Sequence, residues 1–194
     1  MEKAIKEIRL SEVRASEEEN EMIIEGYPIV YGKETDMGWY KEIIDRDALN
    51  EADISDVCMK YNHEDTFLIL ARTRNKSLEL INDSHGLKIR AKLIDTTSNQ
   101  DVYKAIKAGL LDKMSFAFTV REQKWDYEKD LRTITKIDKL YDVSVVDVPA
   151  YDDTEIFARK KEDYEKEKDI FIKNKSERQK MQLKLKLLAI ENQK

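Results

Sequence analysis

The chain has 194 residues, 39% of them charged and 41% apolar, enough for one domain of ordinary size and an appendage. Its net charge of −5 is unevenly divided, about +4 over residues 160–194 and −9 over residues 1–159; so acidic a body excludes a dedicated nucleic-acid-binding surface, which needs clustered cations, and leaves only the basic tail to touch a phosphate backbone. A single cysteine, Cys58, excludes a disulfide within the chain and argues against a thiolate zinc site, and with no apolar run near the ~20 residues of a membrane span and a charged start, Met1-Glu2-Lys3-Ala4, a soluble cytoplasmic protein is expected.

In chain order, residues 22–31 are rich in β-branched and aromatic side chains and predict a strand, with Pro28 marking an edge or a bulge. Asp36-Met37-Gly38-Trp39 reads as a turn and residues 40–44 as a short second strand. Val57, Met59, Tyr61 and His63 alternate on one face of a third strand, which places His63 at its end. Residues 77–93 predict a hairpin turning at Asn82-Asp83-Ser84-His85-Gly86. Thr96, Thr97 and Ser98 offer N-caps for a helix bearing Val102, Ile106 and Leu110, with Gly109 as terminator. Residues 114–125, 132–137 and 140–148 predict three more strands, the first two joined through Glu128-Lys129-Asp130. From about Arg159 the chain lacks Gly and Pro, and Met181, Leu185 and Leu188 recur at helical spacing beside Leu183, Leu187 and Ile190. This predicts a charged helical tail over residues 160–194, one that docks either on its own body or on a partner.

A catalytic serine needs a base within hydrogen-bond reach and usually a third group to orient that base, and the three rarely lie close in sequence. There are two histidines. His63 ends an apolar strand, where a side chain is held while its tip stays accessible, whereas His85 falls in a turn that exposes it by default. Ser115 shares a strand face with Ala117 and Thr119, small neighbours that leave room for a substrate and equally fit a tightly packed sheet. Asp142 interrupts a run of Leu, Tyr and Val in a strand where an unpaired charge would cost several kcal/mol. Asp147 shares that property on the opposite face, and Glu64 and Asp65 stand beside His63. No G-x-S-x-G elbow, P-loop, G-x-G-x-x-G or H-E-x-x-H pattern occurs.

Six short segments in order carry a resemblance: Glu25-Gly26-Tyr27; Trp39 through Leu49; Asn62-His63-Glu64-Asp65; Gly86-Leu87; Gly109 through Phe118; and Asp142 through Tyr151. Together, from about Glu25 to Arg159, they resemble the prohead maturation proteases of tailed bacteriophages. That resemblance implies a fold similar to the herpesvirus capsid-assembly protease, assemblin: α+β, a mostly antiparallel β-barrel flanked by helices, here with the charged helical tail added. It implies a serine endopeptidase with Ser115 as nucleophile, His63 as base and Asp142, rather than Asp147, as the third member. Asp142 stands where Glu is usual, Ala117 where Gly is common, and Ile69-Leu70-Ala71-Arg72 where a Leu-Gly-Arg pattern is expected. Backbone amides near Ala150-Tyr151 become candidates for the oxyanion hole.

The same resemblance implies a protease domain over residues 1–159 and a targeting tail over 160–194, acting inside the assembling prohead in the host cytoplasm. Its partners would be the scaffolding protein, the scaffolding segment of the major capsid protein, and its own ends, with self-association open and no membrane, specific nucleic acid, metal or organic cofactor involved. Two other readings compete: a non-catalytic capsid-assembly or scaffold module bound to the shell through its tail, and a soluble binding domain whose acidic body recruits a basic partner.

Overall fold

In the computed structural model, residues 6–18, 21–66, 68–147 and 154–191 are described. Ten strands and two helices follow one another as β1 (Glu7–Glu18), β2 (Glu21–Val30), β3 (Thr35–Asp36), β4 (Lys41–Ile44), β5 (Cys58–Tyr61), β6 (Ala71–Arg72), β7 (Leu78–Asn82), β8 (Gly86–Leu93), α1 (Thr97–Lys107), β9 (Lys113–Asp126), β10 (Leu131–Val146) and α2 (Thr154–Glu191). The architecture is α+β and mostly strand. The strand path is β3-β4-β10-β9-β1-β2-β8-β7, with β5 and β6 attached beside β10.

The barrel expected from the resemblance is not closed among the described residues. The terminal strands of the path, β3 and β7, do not pair, and β3, only two residues long, offers almost no ladder with which to seal an edge. Two long strands instead divide their edges between partners. The first half of β1 pairs with β9 and its second half with β2. One edge of β10 takes β4 against residues 131–134 and β5 against residues 142–145, both in parallel.

The expected hairpin over 77–93 is β7–β8, and Pro28 sits at a bulge in β2 between Gly26 and Ile29, past the point where β1 leaves β2 for β9. Thr96 caps α1 by accepting from the Asn99 N–H. The helix ends in a Schellman pattern: Gly109, at φ 73°, donates to Ile106 O and Leu110 to Ala105 O, each at 2.9 Å. Leu110, expected on the apolar stripe, therefore lies past the helix and is exposed, whereas Val102, Tyr103 and Ile106 are buried. The two strands expected at 132–137 and 140–148 are one, β10, bent by register shifts. β1 was not expected from the sequence; its period-2 alternation is broken at Ser11-Glu12, where the strand passes from β9 to β2.

By compactness the chain divides into Met1–Asp126 with Asp130–Ala150, and Tyr127–Lys129 with Tyr151–Lys194. The first unit holds the sheet, α1 and a core of aliphatic residues around Phe116 and Phe118, whose rings stack 5.0 Å apart; each fully buried side chain of this size contributes about 1.5–3 kcal/mol. The second is α2 with the three-residue tip of the β9–β10 hairpin. Tyr127 meets Tyr164 and Phe171 at ring separations of 5.6 and 5.3 Å and donates to Glu167 Oε2 at 2.8 Å.

Candidate active site

Ser115 lies mid-strand in β9, between Leu10 of β1 and Ser144 of β10. One residue along, Ala117 lies between Ile8 and Asp142, and across β10 the partners of Asp142 and Ser144 on β5 are Cys58 and Lys60. Because directly paired residues share a face, Ser115, Ala117, Asp142, Ser144, Cys58 and Lys60 lie on one side of the sheet, while Met114, Phe116, Phe118, Val143 and Val145 line the other. A polar face backed by an apolar core can hold reactive groups in fixed positions.

Asp142 reaches that face through a bulge. Leu140 pairs with Phe118 and Asp142 with Ala117, so β10 spends two residues where β9 spends one. In an unbroken strand Leu140 and Asp142 would face the same way; the extra residue, Tyr141, turns the leucine into the core and the carboxylate toward Ser115.

His63 was expected to end its strand. The strand stops at Tyr61, and His63 is the second central residue of a turn closed by Glu64 N–H donating to Tyr61 O at 3.0 Å. Asn62 and His63 have φ of 50° and 57°, two consecutive left-handed residues as in a type I′ turn, a region in which Asn and His are both over-represented. The turn is held against the end of β10: Asn62 N–H donates to Val145 O at 2.9 Å, Asp147 N–H donates to Asn62 Oδ1 at 3.1 Å, and Tyr61 Oη donates to Asp147 Oδ2 at 3.0 Å.

In this turn His63 Nε2 is 2.8 Å from Ser115 Oγ, and Nδ1 is hydrogen-bonded to Asp142 Oδ1. The imidazole is 12% exposed, Asp142 1% and Ser115 0%, so the serine is closed to solvent in this structure. Two further residues complete the surroundings. Ser144 Oγ lies 3.0 Å from Asp142 Oδ1 and 3.2 Å from His63 Nδ1, and Lys6 Nζ donates to Asp142 Oδ2 at 2.8 Å. Burial pushes the Asp142 carboxyl up, but the hydrogen bond and charge of His63, then those of Lys6, outweigh it and hold the group down at about 2. The other acids considered lie elsewhere: Asp147 on Tyr61 and Asn62, Asp65 on Lys60, Glu64 on Thr66. His85 packs edge-on against Tyr27 in its turn.

Ser144 and Lys6 were missed from sequence. Period-2 spacing from Asp142 would have found Ser144; nothing local marks Lys6, which arrives through the β1–β9 register. The amides of Ala150 and Tyr151 lie outside the described residues. Among the described residues no cluster of three or more His, Cys, Asp and Glu could hold a metal ion, and no helix is long and apolar enough to cross a membrane.

The family model that matches the chain is that of the caudovirus prohead serine proteases, over residues 9–169. No curated protein matches. Among solved structures, the capsid assembly protease gp21 of bacteriophage T4 aligns with 13% identity and a TM-score of 0.47, covering 73% of this chain and 98% of that one.

Proposed function

The chain belongs to the caudovirus prohead serine protease family, and from that premise we propose that it cleaves peptide bonds with Ser115 as nucleophile, His63 as general base and Asp142 as the group that orients the base. The observation that carries this reading is the unbroken hydrogen-bond chain from Asp142 Oδ1 through His63 Nδ1 and Nε2 to Ser115 Oγ. Asp142 accepts from Nδ1–H, which fixes the tautomer that leaves Nε2 free to accept the serine proton. Oγ then attacks the scissile carbonyl, and the imidazolium returns the proton to the leaving amine as the acyl-enzyme forms. Water, activated by the same imidazole, releases the acid product and restores the serine. Ser144 donates to Asp142 and narrows the positions open to the carboxylate.

The substrates we propose are the scaffolding protein or the scaffolding segment of the major capsid protein, and the protease's own ends, cut inside the prohead in the host cytoplasm. In this reading residues 1–159 perform the chemistry and the tail delivers them. Kinship of the sheet with the herpesvirus capsid-assembly protease belongs to the same proposal, without a closed barrel.

The test is purification followed by a cleavage assay. The wild-type chain should truncate itself. Ser115→Ala and His63→Ala should stay full length, with rates lower by about 10⁴ or more, while Asp142→Asn should keep more residual activity than either. Self-truncation of Ser115→Ala at the wild-type rate would mean that another nucleophile acts.

A further inference from the structure

Lys6 precedes β1, far in sequence from the rest of the site, yet its ammonium is the partner of the second carboxylate oxygen of Asp142. Three observations fix it there. Ile8, Ala117 and Asp142 stand in one row across β1, β9 and β10, and Lys6, two residues before Ile8, points to the same face. Its Nζ is 2.8 Å from Asp142 Oδ2, while Oδ1 is taken by His63 and Ser144. The same Nζ lies 5.4 Å from the centre of the Tyr141 ring, the bulge residue that turns Asp142 to this face, within cation–π range.

We propose that Lys6 is a positioning residue of the proteolytic site, holding the Asp142 carboxylate in the orientation that receives His63 and balancing its charge. This rests on the assignment of Ser115, His63 and Asp142 above. A carboxylate with one oxygen on the imidazole and the other free could swing about its Cβ–Cγ bond; the ion pair to a residue on a different strand removes that freedom. The other charges facing Asp142 are those of His63, Lys60 and Asp65, the last two hydrogen-bonded to each other. On the β10 side Lys139 shares the Tyr141 ring at 5.7 Å and is paired with Asp53. Among the described residues Lys6 is the lysine that donates to the carboxylate itself.

A fluorophosphonate probe, which labels an activated serine, tests this without a known substrate. Its labelling rate should be followed for the full-length wild type, Lys6→Met, Lys6→Arg, Asp142→Asn, the Lys6→Met/Asp142→Asn pair and Ser115→Ala. Lys6→Met should label about tenfold more slowly. Lys6→Arg should recover most of the rate, and in the Asp142→Asn background Lys6→Met should cost nothing more. A Lys6→Met protein with the wild-type rate, no rescue by Lys6→Arg, or an equal loss in the Asp142→Asn background would overturn the proposal. Labelling of Ser115→Ala at the wild-type rate would instead overturn the nucleophile assignment on which it stands, so the two failures are separable.

Discussion

Asp142 is nearly inaccessible to water and still ionised, because His63, Lys6 and Ser144 all direct hydrogen-bond donors at it. The pH dependence of stability follows from this depression. In the unfolded chain the carboxyl titrates near its ordinary 3.8 and in the fold at about 2. A depressed carboxyl contributes stability that is fully present above the unfolded value and is lost as pH falls through the folded one. Between those two values the protein should lose about 2 kcal/mol that Asp142→Asn does not lose, read as the difference in acid-unfolding curves. Curves of equal slope in that window would mean that the ion pairs do not hold the carboxylate down. The neighbouring His63 shows a second residue-scale requirement: a left-handed φ that a β-branched substitute at Asn62 or His63 could not share without strain.

At the scale of elements, what positions the site is the pairing of β1, β9, β10 and β5, and the bulge at Tyr141 lets β10 present both Leu140 and Asp142 correctly despite its extra residue. Removing Tyr141 should leave Leu140 opposite Phe118 and Asp142 opposite Ala117, so that the deletion variant folds and still labels at Ser115. Removing Val143 allows no such solution. Either Asp142 or Ser144 must then turn toward Phe116, and a carboxylate placed there would lose its partners at a cost of about 3–5 kcal/mol. That variant should be unreactive and markedly less stable in denaturant titration; if it behaved like the Tyr141 deletion, the face assignment would be wrong. β-branched and aromatic composition picked out β2, alternation the β7–β8 hairpin and β9, and the Thr96 cap with Gly109 marked α1. It could not show the bulge, because an extra residue in a strand leaves no mark in composition; the single strand β10 was accordingly read as two. β1 was missed for a different reason. Its charged residues Glu7 and Arg9 are inward members of a buried cluster with Glu42 and Arg132, where Arg132 Nη1 donates to Glu7 at 2.6 Å and to Glu42 at 2.9 Å. The strand alternates in two short runs, Glu7-Ile8-Arg9-Leu10 and Glu12-Val13-Arg14-Ala15, but in the first the charged positions share the face of Phe116 and Phe118, so apolarity does not mark the buried side. His63, Ser115 and Asp142 could be picked out as a histidine at a strand end, a serine among small residues and a charge in an apolar run, but their convergence depends on long-range register, and Lys6 depends on it entirely.

For the whole molecule, the tail proposed for delivery consists of two physically different stretches of α2. Up to Lys175 the helix has partners in the hairpin tip: Tyr127 packs on Tyr164 and Phe171, Tyr127 Oη donates to Glu167, and Lys175 Nζ donates to Glu128. Tyr164 is 6% exposed. Ile170 and Ile172 in this stretch are exposed, and beyond it Met181, Leu183 and Leu185, without a hairpin beside them, are 60, 65 and 60% exposed, apolar area that a helical partner would cover. A cut at 160 therefore removes more than a targeting signal, because it strips the apolar cover from Tyr127 at the end of the hairpin whose strands carry Ser115 and Asp142. Truncation after Lys175 should leave fluorophosphonate labelling and Tm as in the full chain while abolishing incorporation into proheads, since joining a partner helix raises local concentration without altering the site. Truncation after Arg159 should in addition lower Tm by several degrees, in proportion to the loss of one aromatic cluster. Equal Tm for the two truncations would assign no stabilising part to the first stretch, and incorporation of the shorter truncation at the full-length level would remove the delivery role from the second.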